Sequence, residues 1–306
     1  MAKMYVLPFL LAGCVNSYKV LLFWAVDSDP RTQEMVKRNV AHARKTGGHK
    51  CCDVMLAHYQ GRPEDWDADW RAAEVTSSFV QTGFKFRLLQ QAYIDAQHHW
   101  EDTYEFVWAL DSDLDFSGVN LTKLFSTARA SGSLIIGPTW GGEQEWLTWT
   151  LNTQVNADGS SRLLRKGDMS NALMTDEYRQ EMEDQQKIHV LGKPDPSCSY
   201  RHTNFVEMTG TLLHARVLYM LFKKCKDCIG EKAEWGLDRI WCEMASKELT
   251  NQALMCALID NSPVWHLDWK KATVTSDFKS VELAVKEHYP NLWASPKAYD
   301  CVKVQV

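Results

Sequence analysis

The sequence is notable first for what it does not contain. No Pro/Gly/Ser-rich linker divides its 306 residues, and no internal repeat or low-complexity segment interrupts them, which leaves one substantial core rather than two independent halves. Acidic and basic residues are interspersed, with a formal net charge of -5 and no basic stripe, so the chain is no phosphate-backbone binder and nucleic acid is excluded as a partner. There is no G-x-G-x-x-G, which removes a dinucleotide-type reductase. The single C-x-x-C, Cys225 to Cys228, has no second such pair to complete a zinc site, and reads as free thiols or a local disulfide. Nine cysteines is an odd number, so an oxidising compartment would leave at least one unpaired within the chain. No apolar run is long enough for a confident membrane span. The stretch from Met4 to Val15 after Lys3 has instead the length of a signal-peptide apolar region, with an extra N-terminal strand as the alternative. The expected compartment is the secretory pathway or Golgi lumen, with the cytoplasm as alternative and membrane association only through residues 1–18. Asn120-Leu-Thr122 is a lone glycosylation sequon, informative only on the secretory route.

Apolar runs alternating with amphipathic stretches are plentiful. Lys19 to Val26 reads as a buried strand ending at Asp27, Thr32 to Lys45 as a helix, Cys51 to Ala57 as a second strand and Phe84 to Ala96 as a helix. Tyr104 to Leu110 is a third strand that delivers the chain to Asp111. A helix over 121–130 and a strand from Ser133 to Gly137, ended by Pro138, follow. The region from Trp140 to Arg201 is Trp-rich, with a hairpin turn at 156–159 and a polar stretch over 175–187, and is expected to carry acceptor-side loops. Regular structure is expected again at Asn204 to Met208, then helices from Ala215 to Lys224 and from Trp235, a strand from Ala253 to Ile259, and a helix over 281–287 before an irregular tail. Repeated β-then-α order implies an α/β fold with a doubly wound, mostly parallel sheet covered on both faces, in which ligands bind beyond the carboxyl ends of the strands. The chain divides into an N-terminal segment 1–18, a catalytic domain 19–275, and a C-terminal helix and tail 276–306.

Asp111-Ser-Asp113-Leu-Asp115 follows a strand directly, and in an extended conformation its three carboxylates would share one face. Such charges converge around a cation; hard Mg²⁺ or Mn²⁺ prefers oxygen ligands and shares its sphere with substrate phosphates. A solvated acidic turn is the plain alternative. An EF-hand is ruled out by Phe116 and Thr122 at its glycine and twelfth positions, while a haloacid-dehalogenase-type phosphotransferase would not normally carry Asp115. Far downstream, Trp235-Gly-Leu-Asp238 puts an acid at a helix start, where backbone N–H groups and the helix dipole would keep it ionised for use as a base. His266 follows a strand and a Pro turn; a structural histidine and a metal ligand both fit. Trp140, with Trp146 and Trp149, could pack in the core or wall a sugar site.

The order Leu56-Ala-His-Tyr-Gln-Gly61, Gly83-Phe-Lys85, strand-DxD-Leu, Phe205-Val-Glu-Met208, Trp235-Gly-Leu-Asp238 and a final Val-x-His resembles a plant and algal family of unknown function, labelled lysine-ketoglutarate reductase trans-splicing related. The resemblance runs from about residue 19 to 270 and is most specific over Phe205 to Cys242. That family is in turn similar to GT-A glycosyltransferases. The resemblance implies a metal-dependent enzyme that moves a sugar from a nucleoside-diphosphate sugar to a carbohydrate or glycoconjugate hydroxyl. It implies Asp113 and His266 as metal ligands, Asp111 as a metal or nucleotide contact, Lys85 and Asp27 on the nucleotide-sugar side, and Asp238 as catalytic base. Glu207, Trp140 and Asp115 fall to the acceptor side. Where the family has Pro-Cys-Thr-Gly, this chain has Arg201-His-Thr-Asn204, so acceptor contacts are expected to differ. The competing functions are a phosphotransferase or nucleotide-sugar hydrolase using the same carboxylates, and a silent carbohydrate-binding protein on the same fold.

Overall fold

The computed structural model describes residues 19–47, 51–97, 100–141, 150–152, 197–225, 228–230, 234–250, 254–267 and 278–305. The N-terminal apolar segment, Trp146, Trp149, the 156–159 turn and the 175–187 stretch lie outside them.

Four strands build the first half, β1 (Val20–Val26), β2 (Cys52–His58), β3 (Ser77–Val80) and β4 (Phe106–Leu110), all mutually parallel in the order β3-β2-β1-β4, with β1 and β4 wholly apolar and buried and β3 a short, exposed edge. Between them run α1 (Pro30–Gly47), α2 (Ala68–Glu74), α3 (Lys85–Asp95) and the single turn α4 (Trp100–Thr103). After the two-residue β5 (Leu114–Asp115) come α5 (Leu121–Ser131), β6 (Ile135–Trp140), β7 (Tyr200–Thr203) and β8 (Thr211–His214). The chain then forms α6 (Ala215–Tyr219), which continues as a π-helix over Met220–Lys224. Last come α7 (Leu237–Ala245), β9 (Cys256–His266) and α8 (Phe278–His288). β8 inserts antiparallel between β4 and β6, and β6 and β9 are again parallel.

The doubly covered α/β sheet expected from the sequence is present. Period-2 alternation sorts β1 between two cores: Leu21, Phe23 and Ala25 join α3, α6 and α7, while Val20, Leu22, Trp24 and Val26 join α1 and α5. Burying aliphatic and aromatic side chains on both faces contributes roughly 1.5–3 kcal/mol for each fully buried one. Two expectations change. β6 runs through Pro138 to Trp140: Pro138 pairs with Ile259 next to a shift in register, the kind of irregular position in a sheet where proline is accommodated. Residues 204–208 are a loop between β7 and β8 rather than a regular element.

The tail is laced to β7. Tyr200 bridges Val302, Thr203 bridges Ala298, Asp300 accepts from both the backbone N–H and Nδ1 of His202, and a disulfide joins Cys198 to Cys301. Arg201 makes a buried two-point pair with Asp260 on β9 at 2.8 Å, and Asn204 bonds Ser295 and Lys297. The Arg-His-Thr-Asn departure therefore serves the packing of β7, β9 and the tail. Among the described residues no helix is long and apolar enough to cross a membrane.

Candidate functional site

β4 is buried along its whole length and ends at Asp111, where the chain turns instead of extending: the Leu114 N–H donates to the Asp111 carbonyl at 3.2 Å. The three carboxylates of residues 111, 113 and 115 therefore do not share the single face that an extended chain would give them. Asn39, fully buried on α1, fixes the turn by donating to the Leu114 carbonyl at 2.7 Å and accepting from the Phe116 N–H at 3.0 Å. Asp115 is drawn off by Arg38 at 2.6 Å and by the N–H and hydroxyl of Ser117. That geometry takes Asp115 out of the convergent set.

Asp113 goes the other way. The β5 to β9 pairing sets Leu114 against His266, and the Leu267 N–H donates to the Asp113 carbonyl, so His266 Nε2 lies 3.4 Å from Asp113 Oδ1. Burial opposes a charge on His266, but Asp113, Asp111 and Glu207 around it outweigh burial and raise its pKa to about 9. Trp140 lies against the imidazole with centroids 5.6 Å apart. It is buried and also bonds Glu207, whose carboxylate accepts from Asn152 Nδ2 at 2.6 Å. Burial, with the charge of Asp111, pushes Glu207 above the usual carboxylate range against the pull of His266.

On the other flank Lys85 Nζ sits 2.5 Å from Asp111 Oδ2 and 2.8 Å from the Met208 carbonyl. The loop can come this close because Gly210 carries a left-handed φ of 66° and leaves no side chain against Leu114. Asp27 ends β1 as expected and accepts from Tyr59 at 2.9 Å. Burial, reinforced by Asp27, Asp113 and Asp111, holds the Tyr59 phenol well above its ordinary pKa. Asp27, Tyr59, Asp111 and Asp113 thus form one electrostatic group at the carboxyl ends of the first strands.

Asp238 is the second residue of α7, which starts after Gly236, its left-handed N-cap. It is 7% exposed, and burial, with Glu207 and Glu282 adding repulsion, pushes its pKa up to about 7 against the pull of Arg239. The expectation that the helix start keeps it firmly ionised is thus corrected: desolvation outweighs the helix N-terminus. Glu234, unnoticed in the sequence, is buried too and is pushed up to about 7 by burial, with Asp111 and Lys85 in its field. Neither Glu234 nor Asn39 carries a local signal; each matters through partners far along the chain. Asn120 accepts from the Lys123 N–H as N-cap of α5, so the sequon's side chain has a structural use.

No family model and no curated protein matches the sequence at a significant level, so the link to the plant and algal family stays a resemblance. Solved structures do match. GalNAc-T7 with UDP, GalNAc and Mn²⁺ aligns with a TM-score of 0.52 at 10% identity, over 90% of this chain and 48% of that one. The fold is of the GT-A type. Similar to a lower degree are S. aureus TarS 1–349, at 0.48 and 11% over 90% and 66%, and a mycobacterial protein, at 0.46 and 10% over 91% and 76%. This chain spans about half the length of the GalNAc-T7 chain.

Proposed function

We propose that the protein is a divalent-metal-dependent glycosyltransferase that moves a sugar from a nucleoside-diphosphate sugar to a hydroxyl of a carbohydrate or glycoconjugate. The observation that carries this reading is the meeting of Asp113 and His266, from distant parts of the chain, beside Asp111 and Lys85 at the carboxyl ends of the strands. Among the described residues no three His, Cys, Asp or Glu side chains form a ready metal cage. A carboxylate and an imidazole nonetheless fit Mn²⁺ or Mg²⁺ that completes its sphere with diphosphate oxygens and water. The fact that GalNAc-T7 was solved with UDP, GalNAc and Mn²⁺ supports the same class of donor and ion here.

When bound, such an ion stabilises charge developing on the leaving diphosphate. The chain's own groups do the rest. Lys85 adds positive charge beside Asp111, and Asp27 with Tyr59 offers hydrogen-bonding groups to the nucleoside. Asp238, with a pKa near 7, both accepts and gives up a proton at neutral pH, which suits the base that an inverting transfer needs to take the acceptor's hydroxyl proton. Glu207, which interacts with both Asp238 and His266, and Trp140, which contacts Glu207 and His266, are the groups we assign to the acceptor side. Asp115, committed to Arg38, has no part. We propose the secretory pathway as the compartment, with the cytoplasm as alternative; disulfides between Cys198 and Cys301 and between Cys242 and Cys256 support that reading.

The test is a panel of nucleotide sugars scored for Mn²⁺-dependent thermal stabilisation, followed by product analysis with glycan acceptors. Transfer that needs the ion and disappears in Asp113→Ala is expected. Free sugar released at a rate no acceptor increases would make the protein a hydrolase instead. Donor binding without turnover would make it a binding protein.

A further inference from the structure

The first turn of α3 is unusual in how it is satisfied. Its N-cap, Phe84, supplies no side-chain hydrogen bond, although the first N–H groups of a helix have no partner within it. The partner comes from elsewhere: Glu234 Oε1 accepts from the Arg87 N–H at 2.7 Å, and the Phe86 N–H bonds the same carboxylate. A Ser or Asp at position 84 would cap the helix more simply. A buried acid brought from a distant loop fixes, in addition, where the helix start sits relative to that loop.

Two functional groups flank this contact. Lys85 is the first residue of α3, and its ammonium reaches Asp111 and the Met208 carbonyl only with the first turn in this orientation. On the other side, the chain reverses at Gly236, where φ is 95°. The Leu237 N–H then faces the Glu234 carbonyl at 3.5 Å and the Arg239 N–H bonds Gly236 at 3.2 Å, so Glu234 and Asp238 belong to one tight turn. A residue with a side chain at 236 would be strained by that φ and would press on Val285 of α8.

We propose that Glu234 is a positioning residue, whose carboxylate locks the start of α3 so that Lys85 is held on Asp111, and couples that pair to the turn carrying Asp238. The proposal rests on the reading of Lys85 and Asp111 as the donor side. If Glu234 were only a helix cap, its loss would lower stability and leave the reactivity of Lys85 alone.

The experiment is competitive amine labelling of the intact protein, read by peptide mass spectrometry, with exposed Lys224 as internal reference. Glu234→Ala is expected to raise Lys85 labelling about tenfold relative to Lys224, well below the variant's melting temperature. In the transfer assay kcat/KM for the donor is expected to fall about tenfold or more, the scale of a small misplacement of a positioned group. Glu234→Gln keeps an oxygen for the Arg87 N–H and is expected to bring both readouts back to within about threefold. Should the alanine protein not fold, Glu234→Asp, which withdraws the carboxylate by one methylene, is expected to raise Lys85 labelling severalfold. Unchanged Lys85 labelling in the variant that folds, or an equal rise in Glu234→Gln, overturns the proposal. The labelling does not depend on catalysis, so it decides the matter even if no donor is ever turned over.

Discussion

His266 Nε2 faces Asp113 Oδ1 at 3.4 Å because a two-residue strand pairs with the end of β9. With no ion present, the imidazolium balances the surrounding carboxylates, and its raised pKa stabilises the metal-free fold. That contribution is complete below the unfolded value of about 6.5 and is lost as pH rises through about 9. Bound Mn²⁺ would need the neutral ring, so binding must release the proton. We expect apparent Mn²⁺ affinity to rise between pH 6.5 and 9, with proton release measurable by calorimetry in buffers of different ionisation enthalpy. In His266→Gln the release should vanish and affinity should fall. Release equal to wild type would show that the ion sits elsewhere.

Asp238 should trade stability for function. Its pKa lies above the unfolded value, so its stabilising effect is full below pH 4 and is lost as pH rises through about 7. Above that, the folded protein carries a buried, partly repelled carboxylate. Asp238→Asn is therefore expected to melt about 2–4 °C higher at pH 8, and to match wild type near pH 4. Transfer should drop by about 10²–10⁴. A lower melting temperature at pH 8 would contradict this account of the buried acid.

Asp111 and Asp115 look alike in sequence and differ in space. Asp115→Asn breaks a partly exposed pair with Arg38, a change expected to cost about 1 kcal/mol or less and to leave turnover within about twofold. Asp111→Asn removes the partner of buried Lys85 and should cost activity by about a hundredfold. Equal losses in the two variants would restore Asp115 to the site.

Cys242 and Cys256 are linked across 14 residues and tie α7, with Asp238 at its start, to the beginning of β9. Replacing both with serine is expected to lower stability by about 3 kcal/mol, measured by denaturant unfolding under non-reducing conditions. If reductant leaves the wild-type midpoint unmoved, the link does not exist in the folded protein.

The elements that were legible in the sequence are those whose pattern is local. The apolar runs of β1 and β4 and the amphipathic face of α1 announce themselves within a few residues, and a strand ending in Asp111 is enough to locate the centre of the site. Legibility ends where tertiary contacts decide. Asp113 turns toward His266 because Asn39 and β9 hold the turn, and no periodicity contains that. Glu234 reads as an ordinary loop acid until the first turn of α3 arrives beside it. Desolvation of Asp238 depends on the packing around α7, which competes with the helix start visible in the sequence.

β8 lies between β4 and β6, although it is made after both. On a ribosome, the first four strands emerge with β4 as an open, wholly apolar edge, and it stays open until residues 211–214 are synthesised. The last pieces of the candidate site, Asp238 and His266, arrive later still. The cell must shelter a sticky half-sheet through much of translation, and fragments ending before β8 should be chaperone clients or aggregates rather than small working enzymes.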